Sequence, residues 1–403
     1  MFAPFPMTNP ALHATRHFMI PGPATYDVIV VGTGGMGAAA ACHLAGRGVR
    51  VLGLDRFPVA HDRGSSHGQT RLIRLAYYEH PDYVPLLRRA RDLWHDLQRE
   101  ADRPLLVESG LVTAGPATGD VIAGSLASAH AHALPVERLT ATAANARWPA
   151  LRVPEAWDVV HESTAGYLFV EECVRAHAAA ATRAGAELRS GVTVHGWRVE
   201  HDRAVVETDA GAFTAARLVL CPGPWAAGLL QLPAVPLVVL RKSLFWFAAS
   251  PGRAADHAPG RLPCFAFDTP AGFFYGFPAV DDRGIKVANH SGGRTVADPL
   301  DLDRRVDPDE QRQLERCLGD HLPGVGRTPT HHVACMYTMS PDHHFLLGLH
   351  PAHPQVAIAA GFSGHGFKFA SVVGEILADL ATAGRTRHPI AFLAPDRFAR
   401  PRP

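Results

Sequence analysis

Three stretches of this sequence combine residue types that could do chemistry. The first, Gly32-Thr33-Gly34-Gly35-Met36-Gly37, is a G-x-G-x-x-G run. Gly32 permits a tight turn, Gly34 lets the backbone approach a pyrophosphate, and Gly37 lets a helix pack closely on a strand. Asp55 lies 18 residues beyond Gly37, where a carboxylate can accept from ribose hydroxyls. Arg56 stands next to it, but the acid argues against a 2′-phosphate. The second stretch, GSSHGQTRLIR from Gly64 to Arg74, packs glycines, hydroxyls and two arginines. On a helical turn Arg71 and Arg74 would share a face, and guanidinium forks suit carboxylates. Ser65, His67 and Thr70 of this stretch are expected against the nucleotide. The third, GFSGHGFKF from Gly361 to Phe369, surrounds His365 with glycines (Gly364 and Gly366 flank it) and runs into helical sequence. Free backbone N–H groups and a positive helix end there would stabilise an anionic cofactor. Cys335 sits in the apolar stretch VACMYT and, taken alone, reads as a buried structural cysteine.

These groups need elements to place them. YDVIVVG is a continuous apolar run ending in glycine, which predicts a buried parallel strand. The alanine-rich AAAACHLAGRG predicts a helix stopped by Gly46 and Gly48, and Val49 to Leu54 a second strand closed by Asp55. The unit is β-α-β. Further helices are expected over 88–99, 172–185 and 369–383, the last with Val372, Val373, Ile376, Leu377 and Leu380 inward. VTVHGWRVEHDRAVVETDAG predicts two alternating strands around a charged turn. ARLVLCPGPWA predicts a buried strand running into glycine and proline. Strand-like pieces dominate from Pro236 to Asn289, as in an antiparallel sheet of a second domain. Short buried strands and glycine turns are expected over 330–369. The nucleotide-binding pieces are thus split among the N-terminus, the middle and the C-terminus. A cofactor held by both chain ends suits FAD better than NAD, whose domain is usually contiguous. The expected division is 26–107, 166–236 and 330–395 for the cofactor, and 108–165 and 237–329 for the substrate.

Composition bounds the rest. The 403 residues suit about two domains. Hydrophobic residues make up 47% and charged residues 19%, enough for a large core. The net charge of +1 offers no field for nucleic acid. Six cysteines without a C-x-x-C pair argue against a disulfide scaffold or zinc ribbon and fit a reducing cytoplasm. The 24 histidines include HAH at 130–132 and pairs at 331–332 and 343–344, yet no H-E-x-x-H, so no metal is expected. No apolar run of about 18 residues is present to span a membrane. Residues 1–25, with five prolines, read as a disordered extension rather than a secretory signal, with Met7 or Met19 as alternative starts.

The segments YDVIVVGTGGMGAAAACHLAGRGVRVLGLDRF, GSSHGQTRLIRLAYYEHPDYVPL, RWPALRVPE, FFYGFPA, ACMYTMSPDHHFLLGLHP and GFSGHGFKFASVVGEILADL carry a resemblance over nearly all of 26–395. The chain resembles the monomeric sarcosine oxidase and N-methyltryptophan oxidase family of flavoenzymes. That likeness implies an α/β fold: a glutathione-reductase-like, FAD-binding Rossmann domain with an inserted antiparallel-sheet substrate domain. It also implies covalent FAD, held through a thioether from Cys335. Arg74 and Lys368 would pair with a substrate carboxylate, Lys368 also touching the cofactor. Arg71 would lie near the flavin ring with His365 beside it. Lys286 would activate oxygen, and Tyr275 and His290 would line the substrate cavity. A free lysine has a pKa of about 10.4, so Lys286 is expected to stay charged unless strongly desolvated.

The implied activity is oxidation of a secondary amine bearing a carboxylate, with O2 reduced to H2O2, by a monomer. The flavin carries the redox chemistry while protein supplies orientation and charge. A flavin dehydrogenase using another acceptor, a flavin-binding protein without turnover and an NAD-dependent dehydrogenase are the competing readings. Ser66, Tyr78, His343 and Ala266 depart from the family pattern, where a histidine, a glycine, an acid and a methionine are usual. These departures put the substrate in doubt, and the small side chain at 266 is expected to enlarge the pocket.

Overall fold

A computed structural model describes residues 26–398; the extension expected over 1–25 lies outside them. The apolar run Tyr26–Val31 is a buried strand, parallel to Val51–Asp55 on one side and to Gly211–Leu220 on the other. Glu187–Ser190 extends the sheet beyond Val51–Asp55, and His353–Ala360 extends it beyond the end of Gly211–Leu220, both in parallel. Parallel strands covered on both faces have no polar side to show, hence their unbroken apolar sequences. The sheet draws on the N-terminal, middle and C-terminal thirds of the chain. Val194–Glu200 and Arg203–Thr208 form the expected hairpin. Its charged turn, His201 and Asp202, takes positive φ at both positions, the geometry that matches strand twist in two-residue hairpins.

Between the first two strands runs the helix Gly35–Ala45, packed against Val170–Arg183 and Ala370–Ala383. The expected helix over 88–99 extends to Tyr83–Ala101, because Tyr83, Val84, Leu86 and Leu87 also reach the core and Pro85 falls in the first turn, where its missing N–H costs little.

The second layer is a nine-stranded, mostly antiparallel sheet. Toward one edge Val238–Ala249 pairs with Ile285–Asn289 on one side and with the long strand Val325–Met339 on the other. Residues 330–339 therefore pair into this sheet. Leu111–Pro116, Trp157–Glu162, Cys264–Thr269 and Gly272–Phe277 complete its middle. A three-stranded sheet of Thr70–Ile73, Gly166–Phe169 and Leu106–Val107 stands apart from both. Arg71 thus lies on a strand, not on a helical turn, and Arg74 follows just past the strand's end. Among the described residues no helix is long and apolar enough to cross a membrane.

Candidate active site

Gly32 has φ +83°, and a Cβ there would meet Cys221 O at 2.3 Å; at Gly37 a Cβ would meet Gly32 O at 1.8 Å. Only glycine fits either place, so chain and helix come together as tightly as the sequence pattern implied. The turn opens a cavity of about 520 Å³. Its walls include Gly32, Gly34, Asp55, Arg56, Ser65, Ser66, Arg71, Arg74, Tyr275, His290, Gly364, His365, Gly366 and Lys368. Asp55 accepts from Thr33 N at 2.7 Å and Phe57 N at 2.9 Å. Ser66, the departure from the family histidine, accepts from Gly35 N at 3.1 Å and so caps the helix whose N-terminus faces the cavity.

Cys335 is buried where the antiparallel sheet meets the Gly64–Arg74 loop. Arg71 Nη2 lies 3.4 Å from its Sγ and also donates to Ser65 O at 3.2 Å. Burial alone would raise the thiol pKa. The adjacent His67 imidazole, then Arg71, outweigh it and hold the thiol down at about 6. Nε2 of His67 is buried without a hydrogen-bond partner. The loop's shape comes from Glu171, whose carboxylate accepts from Gly68 N at 2.7 Å and from Gln69 N.

Lys286 does not line the cavity. Its Nζ, one layer behind, donates to Gly68 O at 2.5 Å and Thr70 O at 2.7 Å. Burial, reinforced by Arg71, lowers its pKa well below the usual lysine value, so Lys286 meets the exception set for a strongly desolvated lysine. Thr70 is the link between this lysine and the cavity-side strand.

Arg74 is buried against Tyr77 and Tyr78 and pairs with Glu79, Nη2 lying 2.8–2.9 Å from both carboxylate oxygens. Lys368 Nζ donates to His365 O at 2.8 Å and Tyr77 Oη at 3.3 Å. Burial first, then Arg74, depresses its pKa to about 7. His290 is likewise pushed down to about 3, by burial and then by His365. Tyr337 joins the wall: its Oη is 3.4 Å from His290 Nδ1 and 3.5 Å from Tyr275 Oη. Ala266 is fully buried in an apolar cluster and does not line the cavity, so its small side chain does not enlarge it.

These residues fit an FAD. The groove is glycine-floored where a pyrophosphate needs close approach, a helix N-terminus faces it, and Trp225 Nε1 on its wall is buried without a partner. A family model described as FAD dependent oxidoreductase matches residues 27–380. This chain belongs to that family.

The oxidoreductase is 43% identical over 383 residues to a monomeric sarcosine oxidase of Streptomyces avermitilis, covering 93% of this chain and 98% of the relative. It is 37% identical over 380 residues to an N-methyl-L-tryptophan oxidase of Salmonella agona, with 93% and 99% covered. Among solved structures, NikD, an unusual amino acid oxidase essential for nikkomycin biosynthesis, superposes with a TM-score of 0.80 at 28% identity, covering 92% of this chain and 97% of NikD. The oxidoreductase also holds cavity residues that sequence reasoning passed over: Glu79 and Tyr337. Tyr337 was within reach, since it lies two residues from Cys335 on a strand and so shares its face. Glu79 sits in a loop with no period to betray it. Glu171, behind the loop, is local in no sense, more than a hundred residues from the amides it holds.

Proposed function

We propose that this chain is an FAD-dependent oxidase of secondary amino acids of the N-methyl type, converting the C–N bond to an imine that water hydrolyses, with O2 reduced to H2O2. The observation that carries the reading is the pair of buried basic groups, Arg74 and Lys368, on the same cavity that the glycine turn opens. Two cations in a partly dry site hold one carboxylate and fix the neighbouring C–H bond. The names of the relatives, oxidases of sarcosine and N-methyl-L-tryptophan, support the same class.

FAD, when bound, supplies the two-electron acceptor. The chain's own residues do the rest. Arg74 has to share or exchange Glu79 for the substrate carboxylate. Tyr275, Tyr337 and a neutral His290 wall the amine without adding a charge that would repel it. Tyr78, against Phe273 with ring centroids 5.7 Å apart, bounds the space left for a side chain. Cys335, in its electropositive setting, is the nucleophile we assign to covalent attachment of the flavin. Lys286 supplies the charge for oxygen reduction when protonated. Its placement behind carbonyls, with a lowered pKa, is the one observation favouring a dehydrogenase that passes electrons elsewhere. The substrate and O2 are the expected partners, and the expected state is a cytoplasmic monomer.

A peroxide-coupled screen of N-methyl and cyclic amino acids on the purified protein tests this. At least one should yield H2O2, while the matching amines without a carboxylate should not. Equal turnover of the decarboxylated amines would remove the reading; dye reduction without peroxide would select the dehydrogenase.

A further inference from the structure

The hydrogen bonds around Lys368 fix more than its position. His365 Nε2 lies 3.1 Å from His343 O, which can only accept, so Nε2 carries the ring proton. His365 Nδ1 is then an acceptor, and Tyr77, 2.6 Å away, spends its single hydroxyl proton on it. Tyr77 Oη can therefore only accept from Lys368 Nζ, as His365 O does. Two N–H bonds are used. That leaves one position on Nζ turned to no protein acceptor, where a free amine would carry its lone pair. Among the charged and titratable groups around it only Glu79 favours an ammonium there, and burial and Arg74 outweigh it. Arg74 is a cation, Glu79 gives both oxygens to Arg74, and Tyr78, His290 and His365 are uncharged. Trp94 Nε1 anchors the main chain at Lys368 O, 2.9 Å away, so the side chain cannot swing out with its backbone.

We propose that Lys368 awaits substrate as a free amine and takes the ammonium proton of the incoming amino acid. The transfer that frees the substrate nitrogen thereby creates the cation that holds the substrate carboxylate. This rests on the amino-acid oxidase reading. One N–H bond of the substrate ammonium breaks and one N–H bond forms on Lys368; no electrons change hands. Amine and carboxylate of an α-amino acid share one carbon, so both come within reach of one Nζ. Release of the product returns the proton to water. The pKa of about 7 fits this role, since an ideal base is poised near the working pH.

Two variants separate base from clamp. Lys368→Arg keeps the charge and loses the proton acceptor; Lys368→Met loses both. In anaerobic mixing of the flavin-loaded enzyme with an N-methyl amino acid, wild-type flavin reduction should vary little above neutral pH. Lys368→Arg should be slower by about 100-fold at about pH 8 and recover about tenfold per pH unit, as the substrate's own alkylammonium, near about 10, deprotonates. Acetate is the second probe. Its binding at about pH 8, followed calorimetrically in buffers of different ionisation enthalpy, should take up about one proton in wild type and none in either variant. A wild-type pH profile in Lys368→Arg, or acetate binding without proton uptake in wild type, would overturn the assignment. If no N-methyl or cyclic amino acid reduces wild-type flavin while acetate still takes up its proton, the substrate reading fails and the free amine at Lys368 stands.

Discussion

Cys335 differs from the other five cysteines in what surrounds it. Burial pushes Cys42 up to about 11 and Cys264 and Cys317 up to about 12, and it raises Cys173 and Cys221 as well. Only at Cys335 do a neighbouring imidazole and guanidinium reverse the effect. Acid precipitation of the holoprotein should therefore carry the yellow colour into the pellet, and Cys335→Ala should leave it in the supernatant. Colour in the supernatant from wild type would disprove the covalent link. In the same cavity, Glu79 competes with substrate for Arg74. A charge-assisted hydrogen bond is worth about 1.5–3 kcal/mol, so Glu79→Gln should tighten acetate binding by roughly tenfold or more, read from flavin absorbance. Weaker binding in that variant would mean that Glu79 organises the site rather than blocking it. For Lys286 the sign follows from its lowered pKa: charge is present below that pKa and lost above it. Flavin reoxidation by O2 should thus slow as pH rises. Lys286→Met should be slow throughout and lose the pH dependence, while flavin reduction changes far less. Equal slowing of both half-reactions would reject the role.

The elements that hold these residues depend on close contacts between backbones. The helices Gly35–Ala45 and Ala370–Ala383 cross at Gly374, where an added Cβ would come within 2.5 Å of Ala39 C and 2.6 Å of Ala39 Cβ. Replacing Gly374 by Ala gains about 1 kcal/mol of helix propensity. Against that, a clash with backbone cannot be relieved by a rotamer, and overpacking costs about 1–3 kcal/mol. Overpacking should win. Gly374→Ala should lower the thermal midpoint and loosen the flavin, because the same crossing seats the helix that follows Lys368. An unchanged midpoint would show that the helices can slide apart without cost. The sequence signalled this helix by its apolar stripe; the crossing point was not legible, since no local pattern marks which glycine meets another helix.

At the scale of the molecule, both sheets contribute to one cavity, so the cofactor ties them together. Binding to the folded state alone adds stability by mass action, about 2.7 kcal/mol at a ligand concentration 100 times Kd. Flavin-free Cys335→Ala protein should melt lower than the holoprotein, and added FAD should raise its midpoint in a concentration-dependent way. Were the midpoint indifferent to FAD, the cavity would not be the cofactor site.

What the sequence determined by itself was whatever depends on neighbours along the chain. The β-α-β unit, the glycine turn at Gly32 and Gly37, Asp55 at the end of its strand and the apolar stripe of Ala370–Ala383 follow from period and turn chemistry. The resemblance then supplied the roles expected of Cys335, Arg74 and Lys368. Only the tertiary structure decided the charges those groups carry. Lys286 and Lys368 are depressed, Cys335 is lowered and Arg74 is already paired, through partners as near in sequence as Glu79 is to Arg74 and as far as Arg74 is from Lys368. It also paired 330–339 with Val238–Ala249 in the antiparallel sheet, which is a long-range choice. The physical reason is the same in each case. Periodicity and turn preference are local, whereas desolvation and Coulomb interactions depend on what folding brings within a few ångströms.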